Sequence, residues 1–169
     1  TSFNNAFWLY GVGENRKTGE IVCPEIDIFE LAGKSFAHTY SYNMAIHYVI
    51  RKPYKHLAFA RTWKSDFKFS DDFHVYGLEW TPKVIRYFID GSLVREFKVK
   101  ENLWNLPMRI HFDSIPHFDW FGVPDPKDFP CAFQIDYCRV LKNTETDLPE
   151  KDWKDQFDFV YFTPDTGFA

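Results

Sequence analysis

Cysteine is scarce in this chain, and its spacing fits no familiar site. Of the 169 residues only three are cysteine, namely Cys23, Cys131 and Cys138. They form no Cys-x-x-Cys pair, which disfavours both a zinc site and a disulfide-rich scaffold. At most one disulfide can form and one thiol is left over, so cysteine chemistry does not explain what the chain does.

The chain also lacks a net positive charge and long apolar runs. The formal net charge is -4, and no basic run is longer than Arg51-Lys52, which argues against a nucleic-acid partner. No apolar stretch approaches the roughly 18 residues of a membrane span, and no signal peptide opens the chain. Because the sequence starts at Thr1 without a methionine, we expect that an upstream segment has been removed or left out.

Aromatic residues, in contrast, are abundant. They make up 20% of the chain, a content that suits an all-β sandwich, with most rings in the core and some free to stack on sugars. Short apolar segments between turn residues predict strands, and no long helical period interrupts them. The predicted strands are residues 6–12, 24–31, 44–50, 73–80, 84–89, 93–97, 107–113 and 132–141, with a tight hairpin at Asp90-Gly91 and a proline-rich loop at 115–130.

The carboxyl-terminal end has a different character. Residues 143–156 are polar and mostly acidic, and a helical turn can form near 152–157. Residues 157–162 are apolar and predict either a last strand or a segment that docks elsewhere. We therefore divide the chain into a domain at 1–142 and an extension at 143–169 that packs on the domain or adds an edge strand.

Three acids lie within one short apolar stretch, Glu25-Ile26-Asp27-Ile28-Phe29-Glu30. The apolar residues between them predict a buried strand, so the carboxylates project from a sheet. In a regular strand Glu25 and Asp27 share a face, and Glu30 points to the other. One extra residue, a β-bulge, would return Glu30 to that face, and bulges often re-aim a side chain at an active site. Three carboxylates on one face shift each other's pKa values, which suits acid–base chemistry.

The chain resembles glycoside hydrolase family 16, which includes laminarinases, agarases, porphyranases and carrageenases. Four segments carry the resemblance in the family's order: residues 6–11, the acidic stretch 25–30, residues 72–82 with the hairpin at 87–91, and residues 135–140. The resemblance implies a jelly-roll β-sandwich of the concanavalin A type. The family's domain has several strands before the first segment, where this chain has five residues, so we expect a sandwich that is incomplete on its amino-terminal side.

The resemblance also assigns roles to the acids. It makes Glu25 the nucleophile and Glu30 the general acid and base of a retaining glycosidase, whose two carboxyl groups lie roughly 5–5.5 Å apart. Asp27 lies between them, and its negative charge would keep Glu30 protonated near neutral pH. No cofactor is required for this chemistry. Three solvated acids on an edge strand are the alternative.

Six further residues are candidates for binding a sugar: Trp8, Tyr10, His47, His111, Asp113 and Trp120. In the family the strand face with Trp8 and Tyr10 lines the cleft, although core packing explains these rings equally well. His47 lies where the family has a polar residue beside the acidic strand. His111 and Asp113 share a face of a strand that reaches the cleft in the family. Trp120 follows in an aromatic loop, and loops on rigid scaffolds often carry specificity.

Four other positions are given weaker roles. By resemblance Asp136 is a candidate ligand of a structural Ca²⁺, although its usual partners lie near the amino end. His74 lies in a segment that is mostly scaffold, so a structural role is favoured. Arg61 or Arg109 could contact a sulfated substrate, but the sequence does not locate either of them.

The leading hypothesis is a retaining endo-acting glycoside hydrolase of a β-linked polysaccharide, and the loop 118–130 favours a red-algal galactan over a β-1,3-glucan. Two alternatives remain open, a carbohydrate-binding sandwich without turnover and an inactive remnant. We expect a monomer without a membrane span or a nucleic-acid partner. The resemblance implies a secreted, periplasmic or cell-surface protein.

Overall fold

The computed structural model describes residues 2–32, 38–99, 103–142 and 157–159. The regular structure of these residues consists of ten strands, one short α-helix and a 3-10 turn at Pro126–Asp128. The strands are β1 Phe3–Tyr10, β2 Gly13–Asn15, β3 Ile21–Ala32, β4 Ser41–Arg51, β5 Tyr54–Lys64, β6 Tyr76–Trp80, β7 Val84–Ile89, β8 Ser92–Lys98, β9 Arg109–Pro116 and β10 Phe157–Phe159, and the helix α1 is Phe118–Phe121. Within the described part of the chain, no helix has the length and apolar character to cross a membrane.

The larger sheet is built around β3, the longest strand. On one side β3 pairs with β1, which pairs in turn with β9. On its other side β3 pairs with β4, which pairs with β5. The start of β3 also pairs with β2, and β2 pairs with β10. All of these pairs are antiparallel. Because β3 has two further strands on each side, the acidic strand lies in the middle of the sheet.

The smaller sheet consists of β6, β7 and β8, which form an antiparallel meander. Asp90 and Gly91 connect β7 and β8 with φ values of 47° and 80°. Positive φ at both central residues is the geometry of a tight hairpin turn, so the hairpin predicted there is present. Ile85 and Tyr87 of this sheet are fully buried and pack against Ile26 and Ile46 of the larger sheet. The core therefore lies between the two sheets, behind β3 and β4.

One predicted strand is absent, and two strands, β2 and β5, were not predicted. Residues 132–141 pair with no strand among the described residues, so the prediction there is wrong. Phe133 packs on the core, whereas Ile135 and Tyr137 remain about half exposed. Strand β5 escaped prediction because its lysine, histidine and arginine residues obscure the alternation of apolar side chains.

The strand predicted at 84–89 has the expected ends, and the other predicted strands are present with shifted ends. Only part of the carboxyl-terminal extension is described. Its strand β10 pairs with β2, and Arg16 donates to Asp158 at 2.9 Å. The helical turn predicted near 152–157 lies almost wholly outside the described residues. The domain boundary after residue 142 stays a prediction.

Candidate active site

The acidic stretch contains the bulge that its spacing predicts. In the pairing with β4, Asp27 is opposite Ala45 and Glu30 is opposite Asn43, so three steps along β3 match two along β4. The pairing with β1 shifts at the same place, between Phe7 and Trp8. The extra residue of β3 reverses the alternation, because one added residue moves every following side chain to the other face. Glu30 is thereby returned to the face of Glu25 and Asp27.

The neighbouring strands place polar and aromatic side chains on the same face, since residues in register project to the same side of a sheet. Five of the six candidate sugar-binding residues are on this face, which we call the acid face. On β1, Tyr10 lies opposite Glu25 and Trp8 lies opposite Asp27. On β4, His47 lies opposite Glu25. On β9, His111 lies opposite Trp8, and Asp113 lies opposite Ala6.

The three acids are partly or fully removed from water. Asp27 is only 5% exposed, and Glu25 and Glu30 are half-buried beside it. Burial and the charge of Asp27 raise the pKa of Glu25 to about 7. The same two causes raise the pKa of Glu30. Glu25 therefore exchanges its proton near neutral pH, and Glu30 holds its proton to a higher pH than an ordinary glutamate, as acid–base catalysis requires.

His47 supplies positive charge to this group. Its Nε2 lies 3.1 Å from the Asp27 carboxylate, and that contact is the main reason why the pKa of His47 is raised. On its other side, Nδ1 lies 2.9 Å from Nε2 of His56 on β5. The His47 backbone carbonyl accepts from the buried indole of Trp104 at 2.8 Å. His47 is therefore held against Asp27 from three sides.

Glu30 is oriented by two asparagines. Asn4 on β1 donates from Nδ2 to its carboxylate at 2.9 Å, and Asn43 on β4 donates to its backbone carbonyl at 3.1 Å. The amide of Asn4 lowers the pKa of Glu30 and so opposes the effect of burial, as does the nearby His47. Sequence reasoning missed Asn4, Asn43 and His56. The only available signal was their place in the two-residue alternation of their strands.

An aromatic platform lies beside the acids. The Trp8 indole stacks on the His111 ring at a centroid distance of 4.4 Å, and its Nε1 donates to Asp113 at 2.7 Å. Tyr10 contacts both Trp8 and His111 edge-on. Trp8 and Tyr10 are only half-buried, so the stack is open to a flat ligand on the acid face. Rings held in this way offer a sugar a rigid apolar surface.

Basic residues lie at the Glu25 end of the acid face. Arg51 donates to the Tyr10 hydroxyl at 3.4 Å, and Arg109 lies opposite Tyr10 in β9. Arg61 is different, because it lies opposite Met44, whose side chain is in the core. It is therefore on the other face of the sheet, and the idea that Arg61 contacts substrate is wrong.

Trp120 and His74 lie away from the three acids. Trp120 is in α1, where it stacks on Phe121 at 4.3 Å and meets the rings of His38 and His117 edge-on. His74 instead lies 2.8 Å from Asp90 and stacks on Phe67, in the structural role that was favoured for it.

One group of donors in the described part of the chain is close enough to share a metal ion. Ligand atoms of Glu25, Asp27 and His47 all lie within 4.8 Å of one another. These are the acids and the histidine that already contact each other, so their closeness has a sufficient explanation. Asp136 is not in this group and is exposed. The calcium site at Asp136 stays a prediction.

Comparisons with known proteins place the chain in a family. The sequence model of glycosyl hydrolases family 16 matches residues 3–137. A kappa-carrageenase of Pseudoalteromonas carrageenovora is 28% identical over 157 residues, covering 80% of this chain and 38% of that protein. A beta-glucanase of Rhodothermus marinus is 35% identical over 86 residues, covering 44% of this chain and 30% of that protein.

A solved structure agrees with these sequence matches. Porphyranase B from Zobellia galactanivorans superimposes with a TM-score of 0.61 at 22% identity, over 78% of this chain and 53% of that one. The match confirms the predicted jelly-roll sandwich. The chain spans between about a third and about half of the proteins named here. Because the family model covers most of its length, the chain belongs to glycosyl hydrolases family 16.

Proposed function

We propose that this chain is a retaining, endo-acting glycoside hydrolase of a β-linked polysaccharide. The observation that carries the proposal is the bulged strand β3, which brings Glu25, Asp27 and Glu30 onto one face. A retaining hydrolase needs two carboxyl groups on one side of a sugar, one as nucleophile and one as proton donor. The platform of Trp8 and His111 beside them provides a surface for the ring.

The first half of the proposed reaction uses both glutamates. Ionised Glu25 attacks the anomeric carbon and forms an ester, while Glu30 donates its proton to the departing glycosidic oxygen. In the second half, Glu30 takes a proton from water, and the resulting hydroxide attacks the anomeric carbon and releases Glu25. Asp27, paired with His47, positions charge between them without forming a bond to the sugar.

The raised pKa values define the working pH. Glu25 has a pKa of about 7 in the free protein and must be ionised to attack. Turnover per unit of enzyme therefore rises as the pH passes through about 7. Glu30, whose pKa is also raised, must hold a proton, and turnover falls again once Glu30 loses it.

For the substrate we favour a red-algal galactan. The match to the kappa-carrageenase covers 80% of this chain, whereas the match to the beta-glucanase covers 44% of it. Arg51 and Arg109 at one end of the acid face provide positive charge for a sulfate or another anionic substituent. A β-glucan is the second candidate, because identity to the beta-glucanase is higher where the two sequences align.

A panel of polysaccharides tests the proposal. Purified protein is incubated with agarose, porphyran, kappa-carrageenan and laminarin, and new reducing ends are measured. An endo-acting enzyme shortens the chains before small products accumulate. Binding to one of these glycans without new reducing ends would instead support the carbohydrate-binding alternative.

Substitution of the nucleophile tests the mechanism. Glu25→Gln keeps the volume of the side chain, so we expect a loss of about 10⁴-fold or more in kcat with little change in glycan affinity. Glu14→Gln, at an exposed position of β2, is the matched control and should retain activity. Azide should rescue a Glu25→Ala variant and give a product of inverted configuration. Substantial hydrolysis by Glu25→Gln would refute the role of Glu25.

The proposed substrate also bears on location. An intact polysaccharide is too large to cross a membrane, so we infer that the protein acts as a secreted, periplasmic or cell-surface monomer. Fractionation of cells that make the protein tests this inference, and confinement to the cytoplasm would contradict it.

A further inference from the structure

The bulge in β3 leaves a backbone problem that the fold has to solve. A bulge breaks the regular ladder of backbone hydrogen bonds around the extra residue. Ile28 lies at this break and is only 2% exposed, so water cannot satisfy its carbonyl oxygen. A buried carbonyl without a partner costs free energy comparable to a lost hydrogen bond. Some other group must therefore bond to it if the bulge is to persist.

That group is the hydroxyl of Tyr42 on the neighbouring strand β4. Its O–H donates to the Ile28 carbonyl at 2.8 Å. Tyr42 is 0% exposed, and its ring is held by a tilted contact with Phe69 and an edge contact with Tyr76. Burial raises the pKa of Tyr42, so the hydroxyl keeps its proton at any working pH. The donor is thus rigid and permanent.

The next residue of β4 acts on the other side of the sheet. Asn43 donates from Nδ2 to the Glu30 carbonyl at 3.1 Å, and its Oδ1 accepts from Thr62 at 2.7 Å. Tyr42 and Asn43 therefore bond to two carbonyls of the bulge, one reached from the core and one from the acid face. We call these two residues the bulge clamp.

We propose that Tyr42, with Asn43, is a positioning residue that holds the bulge of β3 and so keeps the Glu30 carboxyl group on the acid face beside Glu25. Without the clamp, the ladder between β3 and β4 can slip toward regular pairing. A shift of one residue would turn Glu30 to the core side, because strand faces alternate with a period of two. The catalytic consequence rests on the proposed function, whereas the effect on the bulge does not.

Tyr42→Phe removes only the hydroxyl, and the chain offers a matched control. Tyr87 is also 0% exposed, and its hydroxyl donates at 3.0 Å to the carbonyl of Ala45, which lies opposite Asp27 in the last regular pair before the bulge. Tyr42→Phe and Tyr87→Phe therefore remove equivalent bonds to backbone carbonyls. Only the first should release the bulge.

Hydrogen exchange followed by NMR measures how often the backbone opens at the bulge, and it needs no substrate. In Tyr42→Phe the amides of Phe29 and Glu30 should exchange about tenfold faster than in Tyr87→Phe, relative to the amide of Ile26 in each variant. Equal exchange at these amides in the two variants would overturn the proposal. If Tyr42→Phe does not fold, Asn43→Ala carries the same test from the acid face, where unchanged exchange at Glu30 would overturn it.

Measurements of kcat and KM, with kappa-carrageenan and laminarin as substrates, then test whether Glu30 is displaced. Tyr42→Phe should lower kcat at least tenfold and leave KM within about twofold, because a displaced acid impairs chemistry more than binding. Tyr87→Phe should keep both values near those of the unsubstituted protein. A fall of the same size in both variants would show a general loss of stability and overturn the positioning role.

The two readouts separate two kinds of failure. If the unsubstituted protein cleaves none of the panel glycans, the proposed function fails, and the exchange rates still decide whether Tyr42 holds the bulge. If it cleaves one of them and Tyr42→Phe alters neither exchange nor kcat, the proposed function stands and the clamp is refuted.

Discussion

The centre of the larger sheet and its flanks are built very differently. Ile26 of β3 and Ile46 of β4 are fully buried. At the flanks, β5 is exposed along most of its length, and residues 129–142 run without a strand partner among the described residues. Leu141 in that segment is 86% exposed.

This difference in packing separates the part of the site that the core holds rigidly from the part that it does not. The acids and their immediate partners lie on β1, β3 and β4, the strands that the core packs against most closely. The flanks contribute the surfaces that a long substrate would follow away from the acids. Preorganised chemistry depends on the first region, and recognition of an extended glycan depends on the second.

Removing the same atoms from the centre and from a flank should affect stability very differently. Ile26→Ala deletes three buried carbons behind the acids and should lower the free energy of unfolding by about 2–5 kcal/mol. Ile135→Ala makes the same change where the side chain is 46% exposed, and should cost about 0.5 kcal/mol or less. Denaturation in urea measures both values.

The prediction is that Ile26→Ala lowers the free energy of unfolding much more than Ile135→Ala does. Costs of similar size would mean that residues 129–142 are packed in solution as tightly as the centre. In that case the distinction between the two regions would be lost.

The centre also contains a group that opposes folding. Glu25 has a pKa of about 7 in the folded protein and 4.5 as the ordinary value. The folded state therefore binds more protons between these values, so stability falls as the pH rises through this range. Glu25→Gln removes the cost, and above pH 7 it should raise the free energy of unfolding by about 1–3 kcal/mol.

The pH dependence of stability shows whether Glu25→Gln acts by removing a charge or by some effect that is independent of pH. Below about pH 4.5 the advantage of Glu25→Gln should vanish, because Glu25 is protonated in both states. Glu14→Gln, at an exposed position, should show no such dependence. Thermal unfolding followed from pH 4 to pH 8 measures it. A constant difference across this range would mean that charge at Glu25 is not the cause.

The sequence predicts the centre better than the flanks, for physical reasons. The spacing of Glu25, Asp27 and Glu30 requires a bulge if they are to act together, and the bulge is there. Asp90-Gly91 predicts its turn because few residue pairs accept positive φ. Both are local properties of a few consecutive residues.

What the sequence does not reveal depends on contacts between distant residues. Residues 132–141 have a strand-like pattern, but a strand also requires a neighbour with free backbone groups, which no pattern within the segment specifies. The bond from Tyr42 to Ile28 joins residues 14 apart in sequence, and nothing in the alternation of β4 marks that tyrosine as special. Trp8 and Asp113 are 105 residues apart, and only the pairing of β1 with β9 brings them together.

The smallest expected effect concerns the edge of the centre, where β9 meets β1. Asp113→Ala removes the acceptor that fixes the Trp8 indole at 2.7 Å. We expect glycan affinity to fall about fivefold, the equivalent of about 1 kcal/mol, because the platform must then be ordered by the ligand. Calorimetry with an oligosaccharide of the cleaved glycan, in a Glu25→Gln background that prevents turnover, measures the dissociation constant. Ser114→Ala is the control, since that hydroxyl donates to Asn5 on the opposite face. Equal affinities in the two variants would show that Trp8 binds no sugar and that the acid face ends at β3.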